Sequence, residues 1–393
     1  MPRILLLLFI GSLLSCSDNT KTKDTVYFGG EIVNPTSDYV VLFKHDMVID
    51  SAKLDENNRF SFRLENIEEG LHHFYQAPEQ QYIYFEKGDS ILARLNTVAF
   101  DESLVFSGSN EQVNNFMIEM FLNYEDEERL VSSFYRLSPE AFSGKIDSLR
   151  NQKMEELESL IIGEDLSENA YAMAKASIDY NSYLYKEKYP FYHKRTNSAA
   201  NIQDLGKDFY DYRKNLDFNN RNLTYFRPYY DFMLHHIGNL SYMACAENCE
   251  MENHLGKAKH LHLNKHKMVL IDSLVTEEEL KNNLFRNVAT DYLLKVHEVS
   301  PEATGFIEKF EEFSSNTLHK EEIAHLFKGI QQLQENKCIP HVTVENNQGN
   351  ITNLKMIAQQ QPNTVFYFWT ATQKRHFKNV RRRIAKLECL YRD

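Results

Sequence analysis

The residues with the widest chemical repertoire in this 393-residue chain are five cysteines and fifteen histidines, and one stretch concentrates them. Cys245-Ala246-Glu247-Asn248-Cys249 is followed by His254, His260, His262 and His266. Two thiolates and two imidazoles make a legitimate tetrahedral zinc set, yet the spacing is not that of a zinc finger. On a helix Cys245 and Cys249 share a face, with α-carbons near the upper limit for a disulfide. The third reading, and the one we favour, is two buried thiols beside a solvated histidine face, with no metal and no cofactor. Three intervening residues do not form a Cys-x-x-Cys elbow, and the nearest cations, Lys257 and Lys259, lie some distance along the chain. His72-His73 is a second candidate pair, but adjacent residues of a strand point to opposite faces and cannot easily grip one metal. Between Tyr171 and Phe232 the chain is crowded with rings, among them Tyr180, Tyr183, Tyr185, Tyr189, Tyr212 and Tyr229. These serve either as core residues with hydroxyls reaching the surface or as a groove for peptide or sugar rings, and the spacing leaves both open.

At the N-terminus Arg3 supplies a positive charge and Ile4 to Leu14 an apolar run too short to span a bilayer. The run closes in Leu13-Leu14-Ser15-Cys16, which resembles the bacterial lipobox. That resemblance implies that residues 1–15 are a signal peptide, that Cys16 is diacylated through its sulfur, and that 16–24 is a tether. The alternative is an ordinary secretory signal with an incidental cysteine. With the lipobox, the protein is lipid-anchored to a membrane of the cell envelope, facing an oxidising, aqueous space. No later run approaches eighteen apolar residues.

The elements that must position these residues fall into three blocks. Residues 25–109 read as β: Thr25 to Val33, Tyr39 to Lys44, and Arg59 to Leu64 after the turn-like Asp55-Glu56-Asn57-Asn58, the last two forming a hairpin. Leu71 to Gln76, Gln81 to Phe85 and Ser90 to Asn96 follow at even spacing, as in a small antiparallel sandwich or barrel. From 110 to 335 the period becomes helical, with stripes such as Val113, Phe116, Met117 and Met120 or Leu284, Phe285, Val288 and Tyr292. Eight to ten helices are expected, broken near Pro139, Pro190, Pro228 and Pro301. Only 14 Gly and 9 Pro fit that helix-rich reading. The net charge is −12, while the last twenty residues carry eight Lys or Arg against two acids. The acidic remainder argues against a nucleic-acid partner.

Residues 336–393 read as a strand, the polar turn Asn346-Asn347-Gln348-Gly349 and a second strand. An apolar run, Val365-Phe366-Tyr367-Phe368-Trp369, then suits a buried parallel strand, and a basic amphipathic helix with Phe377, Val380, Ile384 and Leu387 follows. Here the chain resembles the thioredoxin-like disulfide reductases of bacterial envelopes. They open with a Pro-containing strand, an Asn/Asp-x-x-Gly turn and a strand ending in Phe-Trp, matched by Pro340, Asn346 with Gly349, and Phe368 with Trp369. The three-block layout, including Leu104 to Gly108 leading into Asn114-Asn115-Phe116, also looks like a family of Gram-negative envelope lipoproteins.

The departures decide what the resemblance implies. In the family two cysteines follow the Phe-Trp, one attacking a substrate disulfide and the other resolving the mixed disulfide. Here Thr370 takes the family's alanine position, and Gln373 and His376 stand where those cysteines belong; neither can exchange thiols. Cys389 is about three and a half helical turns past His376, too far to substitute. Only the first part of a thioredoxin domain is present, so either the sequence is a fragment or frameshifted product, or the half-domain docks on the helical section or a second chain. The expectation is therefore a multidomain α+β protein: an N-terminal antiparallel β-sandwich or barrel, a long all-α middle and an incomplete thioredoxin-like α/β segment. Its expected role is redox-inactive binding of a protein, peptide or glycan. The competing expectation is a thiol:disulfide oxidoreductase using Cys245 and Cys249.

Overall fold

The computed structural model describes residues 24–162, 166–198, 205–206, 208–248, 256–360, 364–369 and 374–390. The chain is mixed α+β, with strands first, helices through the middle and a small sheet near the C-terminus. It divides into two compact units: one holds the described residues up to Val296 together with Glu302–Ile323, the other His297–Pro301 with the chain from Ala324 onward.

In the first unit the β strands are β1 (Val26–Val33), β2 (Tyr39–Lys44), β3 (Met47–Lys53), β4 (Arg59–Leu64), β5 (Gly70–Gln76), β6 (Glu79–Phe85), β7 (Ser90–Asn96) and β8 (Val105–Gly108), with a short helix α1 (Phe100–Ser103) before β8. Alternation sets their faces: β4 buries Phe60, Phe62 and Leu64 and exposes Arg59, Ser61 and Arg63. One sheet has the order β4-β1-β7-β8 and the other β3-β2-β5-β6. Both feed a single core, in which the Phe28 ring of β1 lies 5.1 Å from Phe60, 5.6 Å from Phe74 and 5.6 Å from Phe85. Such offset and edge contacts are the favoured ring geometries.

Two expectations are corrected here. The strands are not all antiparallel: β1 runs parallel to β7, with Gly30 opposite Ala93. Between β1 and β7 the chain visits the other sheet twice, returning first as β4, antiparallel to β1, and then as β7, parallel to it. Contact at this pair is so close that a Cβ on Gly30 would sit 2.0 Å from the Ala93 carbonyl oxygen. Nor do Tyr39 to Lys44 and Arg59 to Leu64 form a hairpin, because β3 intervenes and pairs with β2, while β4 pairs with β1. The Asp55 turn, whose carboxylate accepts from the Asn57 and Arg59 amides at 2.8 Å each, passes the chain from one sheet to the other. β3 escaped notice because it is an edge strand without alternation, leaving Met47 and Val48 exposed.

The first helix of the long run, α2 (Glu111–Phe134), closes the edges on the opposite side. Asn114 accepts from the Tyr84 amide of edge strand β6 at 2.7 Å and donates to its carbonyl at 3.1 Å. The adjacent Asn115 does the same for Phe106 of edge strand β8, at 2.8 and 2.9 Å. Two neighbouring side-chain amides thus stand in for a missing strand on each sheet.

Then come α3 (Pro139–Ile161), α4 (Glu168–Thr196), α5 (Arg227–Asn248), α6 (Lys257–Leu274), α7 (Glu278–Val296), α8 (Pro301–Phe313) and α9 (Thr317–Gln332), so eight helices of this run are described, within the expected number. Pro139, Pro228 and Pro301 sit at helix starts, the first behind an N-cap in which Ser138 Oγ accepts from the Ala141 amide at 3.3 Å. Pro190 does not break its helix; α4 runs on to Thr196. Tyr189 before it is fully buried and donates to the Leu137 carbonyl at 2.6 Å, so tertiary packing outweighs the local cost of proline. The expected α7 stripe is buried throughout.

The second unit contains the hairpin β9 (Thr343–Glu345) and β10 (Ile351–Asn353), the single turn α10 (Leu354–Ala358) and helix α11 (Lys374–Leu390). The hairpin turns at Asn346–Gly349, where Asn346 Oδ1 accepts from the Gln348 and Asn350 amides at 2.9 Å each. The expected buried strand at Val365 to Phe368 is corrected: those residues carry no strand pairing, and Val365 and Phe368 are 75% and 73% exposed. Among the described residues this unit has only the two short strands β9 and β10, and neither pairs with the apolar run.

Candidate functional site

Charge is sequestered most completely at Glu187, on the face of α4 that otherwise carries Tyr180, Leu184 and Phe191. Its side chain has no solvent exposure. Arg213, in a 3₁₀ turn at Asp211–Asn215, donates to it through Nε at 2.9 Å and Nη2 at 2.5 Å. Tyr212 Oη donates at 2.7 Å, His236 Nδ1 at 2.7 Å and Asn239 Nδ2 at 2.7 Å, the last two from α5. Burial alone would raise the Glu187 pKa, but the His236 hydrogen bond and the Arg213 charge outweigh it and hold the carboxyl at about 2. The His236 ring lies between Phe218 and Phe232, each at 5.3 Å, which fixes its plane.

This cluster orients a neighbouring polar group. An ionised carboxylate accepts only, so the Asn239 amide must turn its Nδ2 toward Glu187 and the Tyr210 hydroxyl. Its Oδ1 then faces the other way, buried and, among the described residues, without a hydrogen-bond partner. Asn239 lines a cleft of about 660 Å³ between α4, α5, α6 and α7, a volume in the range of small-molecule sites. Apolar walls come from Phe191, Ile237, Leu263 and Val288, and charge from Arg195, Lys267, Asp291 and Lys295. Asp291 is already paired, with Lys295 Nζ at 2.6 Å and His260 Nε2 at 3.5 Å. Lys267 Nζ donates to Asn264 Oδ1 at 3.3 Å. Burial lowers its pKa, with Asp291 raising it and Lys295 lowering it again. A smaller cavity of about 230 Å³ lies between β6, α2, α4 and α5, lined by Tyr82, Met117, Phe121, Lys188 and Arg227 among others.

The residues singled out by sequence are placed as follows. Cys16, Cys249, His254, Thr370 and Gln373 lie outside the described residues, and His376 falls in α11 with its side chain outside them. Cys245 is fully buried on α5, its Sγ 3.3 Å from His262 Nε2 and 3.6 Å from His266 Nδ1. His266 Nδ1 is also 3.2 Å from Ser241 Oγ. The histidines thus do not form one solvated face: His262 and His266 turn to the thiol, His260 to Asp291. Among the described residues no group of three or more His, Cys, Asp or Glu is arranged to hold a metal ion.

His72 and His73 turn to opposite faces, as strand alternation requires. His72 is buried against Phe85, with desolvation and the Lys44 charge lowering its pKa to about 3, while His73 stacks on Phe43 at 5.0 Å. Tyr180, Tyr185, Tyr189 and Tyr229 are core residues, and burial raises the Tyr189 pKa to about 12. The Trp369 indole stacks on Phe377 of α11 at 4.3 Å, so the Phe-Trp motif is anchored by the helix that follows it.

Sequence reasoning missed Glu187, Arg213, His236, Asn239 and Lys267. The partners of Glu187 lie 26, 49 and 52 residues away, beyond any local pattern. One signal was present: a single acid at helical spacing inside an apolar stripe, which has to be paired if the stripe is buried. No protein-family pattern, curated protein or solved structure matches this chain.

Proposed function

We propose that this protein is a lipid-anchored envelope protein, redox-inactive, whose helical body binds a small ligand or the end of a peptide or glycan. In this reading Cys16 carries the lipid, the two-sheet module is a β-sandwich, and the residues from Cys338 onward are the opening part of a thioredoxin-like domain. The observation that carries the binding role is the cleft of about 660 Å³ between α4, α5, α6 and α7, where apolar walls meet the charges of Arg195, Lys267, Asp291 and Lys295. The oxidoreductase reading is less favoured. Of its two candidates, Cys245 is wholly buried with the imidazoles of His262 and His266 against its sulfur, and Cys249 lies outside the described residues.

The test has two arms. A Cys16→Ala variant should leave the membrane pellet after a high-salt wash, because no other apolar anchor is expected; retention overturns the anchoring. The wild-type protein should reduce insulin disulfides no faster than buffer, and turnover that disappears in Cys245→Ala would restore the oxidoreductase.

A further inference from the structure

Beyond the cleft, we infer that Cys245, Cys249, His262 and His266 bind one Zn²⁺ in a closed structural site that clamps α5 to α6. The two helices run antiparallel, since Ser241 meets Leu263 and His266 at 3.1 and 3.2 Å while Cys245 meets His262 at 3.3 Å. Cys245 is fully buried and is a thiol rather than half of a disulfide. Its sulfur faces His262 Nε2 at 3.3 Å and His266 Nδ1 at 3.6 Å. With Zn–S of about 2.3 Å and Zn–N of about 2.0–2.1 Å, a sulfur and a nitrogen ligand of a tetrahedral zinc stand about 3.6 Å apart. Two edges of such a tetrahedron are therefore close to formed. The three side chains do not make a metal site on their own, and His266 Nδ1 is shared with Ser241 Oγ. The sequence supplies the fourth ligand. Cys249, outside the described residues, follows Cys245 by four positions as His266 follows His262, with twelve residues between the pairs. That spacing falls within the range of Cys₂His₂ sites and revises the sequence reading that set it aside, although two pairs on two helices are not a finger fold. The chemistry selects the cation. Two thiolates and two imidazoles around Zn²⁺ carry no net charge, so the set tolerates a burial that would reject an isolated thiolate, whereas Mg²⁺ and Ca²⁺ take oxygen ligands. Four protein ligands leave no open position, which makes the role structural: the metal ties α6 to the helix that brings His236 and Asn239 to Glu187.

The experiment uses the full-length protein in detergent, reduced, stripped of metal with a chelator and titrated with Co²⁺ and then Zn²⁺ under nitrogen. The wild-type chain should bind one Co²⁺ with the visible absorption of a tetrahedral ion and a near-ultraviolet sulfur-to-cobalt charge-transfer band, and Zn²⁺ should displace it. Added Zn²⁺ should also raise the melting temperature of the stripped protein. Cys249→Ser should bind more weakly and lose about half of the charge-transfer intensity, as expected for one thiolate in place of two. Cys245→Ser and His262→Gln should each weaken cobalt binding at least tenfold, while Cys338→Ser, which removes an exposed thiol of the second unit, should leave the spectrum unchanged. Because the spectrum is first read on the wild-type chain, misfolding of a variant does not blunt the test. A wild-type chain that binds no Co²⁺, or binds it without the sulfur band, overturns the inference and leaves Cys245 as a hydrogen-bonded thiol. A band that survives Cys245→Ser undiminished places the metal elsewhere and overturns it as well. A band undiminished in Cys249→Ser overturns the four-ligand site.

Discussion

Glu187 concentrates the strongest interactions of the helical body on two oxygen atoms, which makes its removal informative. Replacing Glu187 by Gln keeps the shape but strands the Arg213 guanidinium, 18% exposed, without its counter-charge. Breaking one side of a buried pair costs about 3 to 5 kcal/mol, and a urea titration at neutral pH should show a loss of that size. The acid response follows from the direction of the pKa. Because the folded protein holds this carboxyl at about 2, below its ordinary value, the stability it contributes is present above the unfolded pKa and is lost as pH falls through that range toward 2. Wild-type stability should therefore drop on acidification more steeply than that of Glu187→Gln, and parallel titrations would contradict the ionised, paired state. At this scale the sequence was least legible: a charge in an apolar stripe shows that a partner is needed, but not that the partners are Arg213, His236 and Asn239.

Among the elements, α2 has a role that its hydrophobic stripe does not announce. The stripe was readable, and Val113, Phe116, Met117 and Met120 are buried as their spacing demands. The Asn114-Asn115 pair beside it completes the ladders of β6 and β8. Asn114→Leu is close to isosteric yet strands the amide and carbonyl of Tyr84, at about 1–3 kcal/mol for each buried orphan. Asn115→Leu does the same to Phe106 in a wetter position, so the expected loss is smaller. Thermal unfolding should rank the variants in that order, and light scattering should reveal association through the reopened edges. A variant pair with unchanged melting temperatures would show that the two amides are incidental. Strands with alternation, such as β4 and β7, were legible because one face is buried. Strand β3 was not, since an edge needs no alternation, and neither was the continuity of α4 through Pro190, which depends on neighbours distant in sequence.

At the scale of the whole molecule the two units differ in how much apolar surface they close over. The first has a shared two-sheet core and buried helical stripes such as that of α7. In the second, the run expected to be a buried parallel strand leaves Val365, Phe368 and Trp369 exposed, and the hairpin residues Thr343, Glu345 and Ile351 are exposed as well. The apolar composition of 365–369 was legible, but a strand needs a ladder, and no partner strand is described in this unit. Local stability follows buried apolar contacts and protected backbone hydrogen bonds. Limited proteolysis of the full-length chain should therefore cut first between about 333 and 369 and leave a resistant product containing the β strands and the helices through α8. In hydrogen exchange, the amides of 343–358 should lose protection well before those of Leu284 to Val296. Equal protection in the two segments would overturn this, because it would require the exposed face of Val365 and Phe368 to be covered in solution by a surface of its own.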